Sequence, residues 1–196
     1  LVDAITPEVS AISLDGASPT NASSVTFTVT FTEDVSGVDI SDFSLITDGS
    51  VNATLQSLIQ IDPRTYRVTI DAITGLGNLG LSLNANGTGI VDAANNSITG
   101  GFTDGPAYAI DTIAPTAPVV TSPALTNAAA PVLSGTAEAD STVTVTIGGA
   151  TYTTVAAGGT WSLDLATATP AAGSLALDTN GANPVSVTAT DAAGNV

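Results

Sequence analysis

Two short acidic motifs, "DAANN" (92–96) and "DAAGN" (191–195), stand about one domain length apart in this chain. Each opens with an aspartate that can cap backbone N–H groups. Each carries an Asn or Gly suited to positive φ near its end. The same carboxylate is also a hard oxygen ligand. The rest of the sequence narrows the chemistry further. Its 196 residues include 18 Asp+Glu, two Lys+Arg and no His, Cys or Met, for a net charge of −16. Without His or Cys there is no Ser-His-Asp triad, no cysteine nucleophile and no His/Cys zinc site. Cysteine spacing therefore says nothing about the redox compartment. The charge repels nucleic acid and anionic membranes, and it attracts cations. The ligands on offer are carboxylates, Asn side chains, carbonyls and water, a set that suits calcium.

The elements that must position these groups read as strands. "SVTFTVTFT" (24–32) sets Val25, Phe27, Val29 and Phe31 on one face and threonines on the other. "STVTVTIGG" (141–149) repeats the pattern with Val143, Val145 and Ile147. Such alternation of β-branched residues marks half-buried strands, and no window shows a helical period. Strands are expected at 8–14, 24–32, 41–47, 51–60, 65–71, 79–84 and 105–110. In the second half they are expected at 118–122, 131–136, 142–147, 150–156, 160–165 and 184–190. Asp15-Gly16, Asp48-Gly49, Gly148-Gly149 and Gly158-Gly159 supply turns between them. Short strands at this spacing indicate all-β sandwiches. Phe27, Phe31, Phe43 and Trp161 are expected in the cores, an exposed aromatic platform being the alternative. Asp42, Asp48, Asp104, Asp164 and Asp178 are expected as surface charges.

A proline-stiffened segment is written twice. Asp3-Ala4-Ile5-Thr6-Pro7 matches Asp111-Thr112-Ile113-Ala114-Pro115 position for position. Prolines so placed suit neither a helix nor a central strand. The repeat reads as the joint of a tandem array, with one domain at 1–112 and a second at 113–196. Each half is long enough to bury a core. No apolar run reaches the roughly 18 residues of a membrane span. The start shows no basic region followed by an apolar stretch and no Met, so the chain reads as an excerpt. In the first half a final strand follows "DAANN". In the second, that closing strand is expected beyond the sequence, which leaves a free sheet edge beside 184–190.

"FTEDVSGVDISDFSL" (31–45) with "GIVDAANNSITG" resembles bacterial Ig-like repeats of large surface proteins. "APVLSGTAEADSTVTVTIGG", "GTWSLDL" and "VSVTATDAAGNV" resemble a sister class, and "DTIAP" is typical of the joints of both. The resemblance covers nearly the whole chain, with Asn95 in place of the motif's glycine. It implies two tandem Ig-like antiparallel β-sandwiches in an extended arrangement. It also implies a structural role in the extender region of an RTX-type, type I secreted adhesin. The expected setting is the bacterial cell surface, outside the cell. The expected partners are neighbouring repeats of the same chain and calcium at the joints, with no nucleic acid, no membrane insertion and a monomeric state.

In an Ig-like sandwich the N-terminus, the B–C loop and the F–G loop meet at one end. For domain 1 that end collects Asp3, then Glu33, Asp34 and Asp39, then Asp92 with Asn95 or Asn96. For domain 2 it collects Asp111, then Glu138 and Asp140, then Asp191 and Asn195. Two arginines cannot neutralise such clusters, whereas a divalent cation can. Asp111 carries most interest, since a metal there would fix the angle between domains. Asp15, Asp62 and Asp71 are candidates to add ligands across the joint. The plainer reading is that these aspartates cap turns and solvate loops. A glycan- or protein-binding module is the competing function, and Trp161, alternating with Leu163 and Leu165, weakens it. A two-carboxylate glycosidase is a third reading, and short loops offer it no cleft.

Overall fold

The computed structural model describes residues 3–196. The chain divides into two compact units, Leu1–Thr112 and Ile113–Val196, each with its own apolar cluster. All strand pairings are antiparallel among the described residues, apart from one isolated parallel bridge between Thr20 and Ile110.

Unit 1 contains β1 (Val9–Leu14), β2 (Val25–Phe31), β3 (Phe43–Thr47), β4 (Asn52–Asp62), β5 (Thr65–Thr74), β6 (Leu76–Leu83) and β7 (Tyr108–Asp111). They form two sheets of order β1-β2-β5-β4 and β3-β6-β7. Strand β2 shows why. Its alternating residues Val25, Phe27, Val29 and Phe31 are buried, and the threonines between them are half-buried on the opposite face. Phe27 meets Tyr108 edge to face at 5.2 Å, and Phe31 meets Tyr66 at 5.7 Å. These two pairs, with Val68, Ile70, Leu79 and Leu81, fill the space between the sheets. The aromatic geometry is the favourable one for ring quadrupoles.

Two expectations need correcting here. Residues 40–42 form a 3-10 turn, and the strand expected from 41 begins at Phe43. Asp42 is buried, not a surface charge. Its Oδ2 accepts the Asp39 N–H at 2.8 Å, while Asp39 Oδ1 accepts the Ser41 N–H at 2.8 Å. This reciprocal cap closes the turn and re-aims the chain into β3.

Unit 2 contains β8 (Val119–Val120), β9 (Val132–Thr136), β10 (Thr142–Ile147), β11 (Ala150–Val155), β12 (Thr160–Asp164), β13 (Ala172–Gly173) and β14 (Val185–Thr190). Its sheets run β12-β9-β8 and β13-β11-β10-β14. Gly148 and Gly149 both take positive φ, 55° and 82°, which gives the β10–β11 hairpin its two-residue turn. Trp161 is buried over Gly135. A Cβ at Gly135 would stand 2.0 Å from the Val119 carbonyl oxygen and 2.7 Å from the indole. Glycine is therefore what lets β8, β9 and the ring close together. Strand β13 was not anticipated, and the strand expected at 118–122 is only two residues long.

Candidate metal centre

The D-A-A-x-N motif builds the same closed loop in both units. In unit 1, Asp92 Oδ1 accepts N–H groups of Ala94 and Asn96, both at 2.8 Å, and Oδ2 accepts the Asn96 amide at 2.7 Å. In unit 2, Asp191 Oδ1 accepts from Ala193, Gly194 and Asn195, and its Oδ2 takes the Asn195 amide at 2.7 Å. The fourth residue needs positive φ in each loop. Asn95 sits at 64° and Gly194 at 94°. Asparagine tolerates that region better than most residues, which explains the departure from glycine. In both loops burial pushes the aspartate pKa up. The hydrogen bonds from the following Asn, Ala and Asn or Gly outweigh it and hold Asp92 and Asp191 below the ordinary carboxylate value.

In unit 1 the loop does more than close on itself. Carboxylate oxygens of Asp3, Glu33 and Asp92 lie within 4.8 Å of one another. Asp3 comes from the segment before β1, Glu33 from the connection after β2, and Asp92 from the loop after β6. Asp3 is fixed locally, since its Oδ1 accepts the Ile5 N–H at 3.0 Å. Its carbonyl accepts the Asn96 amide at 3.4 Å, which ties the N-terminal segment to the loop. Burial raises the Glu33 pKa, and the charges of Asp92 and Asp3 raise it further, with Arg64 opposing. Three acids this close therefore repel in the absence of a counter-ion.

These donors fit a hard cation. Calcium–oxygen distances are about 2.3–2.6 Å, so oxygens on one ion stand at most roughly 5 Å apart. After three loop hydrogen bonds the Asp92 carboxylate keeps about one acceptor site, since a carboxylate offers about four.

The other residues proposed from sequence are placed differently. The Asp34 carboxylate bonds Arg64 Nε at 2.6 Å and faces that guanidinium. Asp39 serves the 3-10 turn, and Ser41 holds its pKa low. Asp111 ends β7, opposite Leu76, and donates its N–H to the Thr20 carbonyl at 3.0 Å. In unit 2 the Glu138 carbonyl accepts the Ser141 hydroxyl at 2.7 Å. Asp140 takes φ 64° and donates its N–H to Ala156 at 2.8 Å. Among the described residues, Glu138, Asp140 and Asp191 do not form a trio as tight as that of unit 1. Of the residues offered as ligands across the joint, Asp15 pairs with Arg67 at 3.0 Å and Asp62 caps the Arg64 N–H at 2.8 Å. Sequence reasoning missed the structural pair Asp39 and Asp42. Their spacing, an acid three residues after a capping aspartate, was the available signal.

The fold and the loops define a class: tandem antiparallel β-sandwiches with short strands and acidic end loops. One bacterial Ig-like domain family model matches residues 3–110, and a second matches residues 117–196. The chain belongs to the bacterial Ig-like domain families. No curated protein matches it. Membership points to a module of a surface protein, and families of this kind are typically non-enzymatic structural modules.

Proposed function

We propose that this chain is a structural spacer from the extender region of a bacterial surface adhesin of the RTX type, stiffened by calcium and without catalytic activity. The observation that carries the calcium reading is the trio Asp3, Glu33 and Asp92, with oxygens within 4.8 Å. The ion would link the N-terminal segment, the connection after β2 and the loop after β6. The segment entering unit 1 would thereby be fixed to the body of the sandwich. The Asp191 loop of unit 2 repeats the Asp92 loop, and we extend the reading to that loop from the repeat in sequence. Restraint of the entering segment is what a spacer requires, because small interdomain contacts otherwise permit relative motion.

The binding-module alternative wants exposed aromatic rings for a glycan. Trp161, Tyr66, Tyr108 and Tyr152 are all buried. A calcium titration of the melting temperature, begun in chelator and controlled with magnesium, tests the proposal. A single site stabilises by about 2.7 kcal/mol when free calcium is about a hundred times Kd. The expected result is a saturating rise with calcium and little with magnesium, which dehydrates reluctantly and demands tighter geometry. Identical flat curves would remove calcium from the account and leave the aspartates as turn caps.

A further inference from the structure

The tip of the β4–β5 hairpin holds the loop that carries Glu33. The Phe31 N–H bonds to the Arg64 carbonyl at 2.9 Å, and the Val35 N–H bonds to the Pro63 carbonyl at 3.0 Å. The Arg64 N–H is itself capped by Asp62 Oδ1 at 2.8 Å. Residues 31–35 are thus tied at both ends to Pro63 and Arg64. Glu33 and Asp34 are neighbours on that loop, with one guanidinium beside them.

Arg64 pairs with only one of the two. Its Nε donates to Asp34 Oδ1 at 2.6 Å, and among the described residues it forms no ion pair with Glu33. Glu33 is half-buried, and no hydrogen bond steadies its charge. The charge of Arg64 still reaches it. Burial, Asp92 and Asp3 push the Glu33 pKa up, and Arg64 pulls against them. Asp34, by its hydrogen bond and its charge, does most to raise the Arg64 pKa, and Glu33 adds less.

The Arg64–Asp34 side chains are 54 % and 62 % exposed, so their pairing adds little to stability. Its placement matters more than its strength. Arg64 is the one cationic side chain beside the trio, since the other arginine, Arg67, is paired with Asp15. Asp62 already faces the Arg64 N–H. Without Asp34, the next carboxylate on the tethered loop is Glu33. A guanidinium bonded there would occupy a ligand oxygen and set a positive charge where a divalent cation must sit.

We propose that Asp34 is a positioning residue for the acidic trio: by holding Arg64 it keeps Glu33 free of the guanidinium and open to a cation. Asp34 thereby serves the site without supplying a ligand. The consequence for calcium rests on the reading given above, whereas the competition between Asp34 and Glu33 for Arg64 does not.

The test has a metal-free arm and a calcium arm, both on the full chain. In chelator, Glu33→Gln is made in the unaltered chain and in Asp34→Ala, and the unit 1 transition is followed by calorimetry. In the unaltered chain the change relieves repulsion and should raise the melting temperature slightly. In Asp34→Ala it should lower it, because Glu33 has become the partner of Arg64. Adding Arg64→Gln to Asp34→Ala should restore the rise. The same sign in both backgrounds overturns the proposal, since Arg64 would then have turned to Asp62 or to water. In the second arm, titration with calcium should show Asp34→Ala weakening binding about tenfold, the lower end of what groups that orient metal ligands cost. In an Arg64→Gln background, Asp34→Ala should leave Kd unchanged. An equal loss in both backgrounds would make Asp34 a ligand and overturn the proposal. Reversal of sign in chelator, with no calcium bound by the unaltered chain, would remove the calcium reading alone and leave Asp34 as the group that holds Arg64 off Glu33.

Discussion

At the scale of single residues, the carboxylates separate by what holds them. Asp92 and Asp191 are depressed by hydrogen bonds in their loops, so each favours the folded state while ionised. That stability is present above about pH 3.9, the ordinary aspartate value, and is lost as the pH falls through the lower folded value. Asp191→Asn should therefore lower the melting temperature of unit 2 at pH 7 and flatten its acid limb. An unchanged acid limb, read by near-UV dichroism of Trp161, would show that the loop does not contribute. Glu33 has the opposite sign. Its pKa is raised by burial and by Asp92 and Asp3, so the folded state holds its proton more tightly. Stability falls as the pH rises from about 4.3, the ordinary glutamate value, through the raised one. At pH 7 in chelator, Glu33→Gln should raise the melting temperature of unit 1 slightly. In calcium the same change should remove most of the metal-dependent rise. A variant that loses stability in chelator and keeps the calcium response would contradict both halves of this argument.

At the scale of elements, strands legible in the sequence are those whose alternation meets a buried face, as in β2 and β10. Strand β13 was not legible, because Ala172 and Gly173 carry no pattern and pair only where β11 passes them. The turn at 40–42 was masked by a strand-like run, and its cap depends on two acids bonding reciprocally. The candidate site was legible by residue type and chain order. Its exact membership was not, because Asp34 is taken by Arg64, thirty residues away, a pairing no local pattern reports. Strand β7 offers a test of how its element is anchored. The Tyr108 hydroxyl donates to the Thr26 carbonyl at 2.9 Å and accepts the Asp15 N–H at 2.9 Å. Tyr108→Phe keeps the ring against Phe27 and deletes only these bonds. The Asp15 N–H retains the Thr26 carbonyl at 3.1 Å, so the cost should be about 1 kcal/mol, the typical net value of one hydrogen bond. Urea unfolding with an unchanged m-value would measure it. A cost near zero would mean that ring packing alone holds β7 at that end.

At the scale of the whole molecule, the charge of −16 is spread unevenly. Both arginines lie in unit 1, paired with Asp34 and Asp15, and residues 113–196 contain five acids and no cationic side chain. Diffuse repulsion of this kind acts over distances comparable with the Debye length, about 10 Å at 0.1 M salt, and monovalent salt screens it. The repulsion within Asp3, Glu33 and Asp92 acts across less than 4.8 Å, well inside that length. Sodium chloride therefore relieves the first and barely touches the second, whereas a coordinated calcium ion removes the second directly. Melting curves in sodium chloride and calcium chloride at matched ionic strength should consequently separate. Sodium should give a gradual rise without saturation in both units. Calcium should add a saturating rise in the unit 1 transition, abolished by Asp92→Asn. If the two salts instead superpose on an ionic-strength axis, calcium acts on this molecule only as a screening ion, and the trio of Asp3, Glu33 and Asp92 is not a metal site.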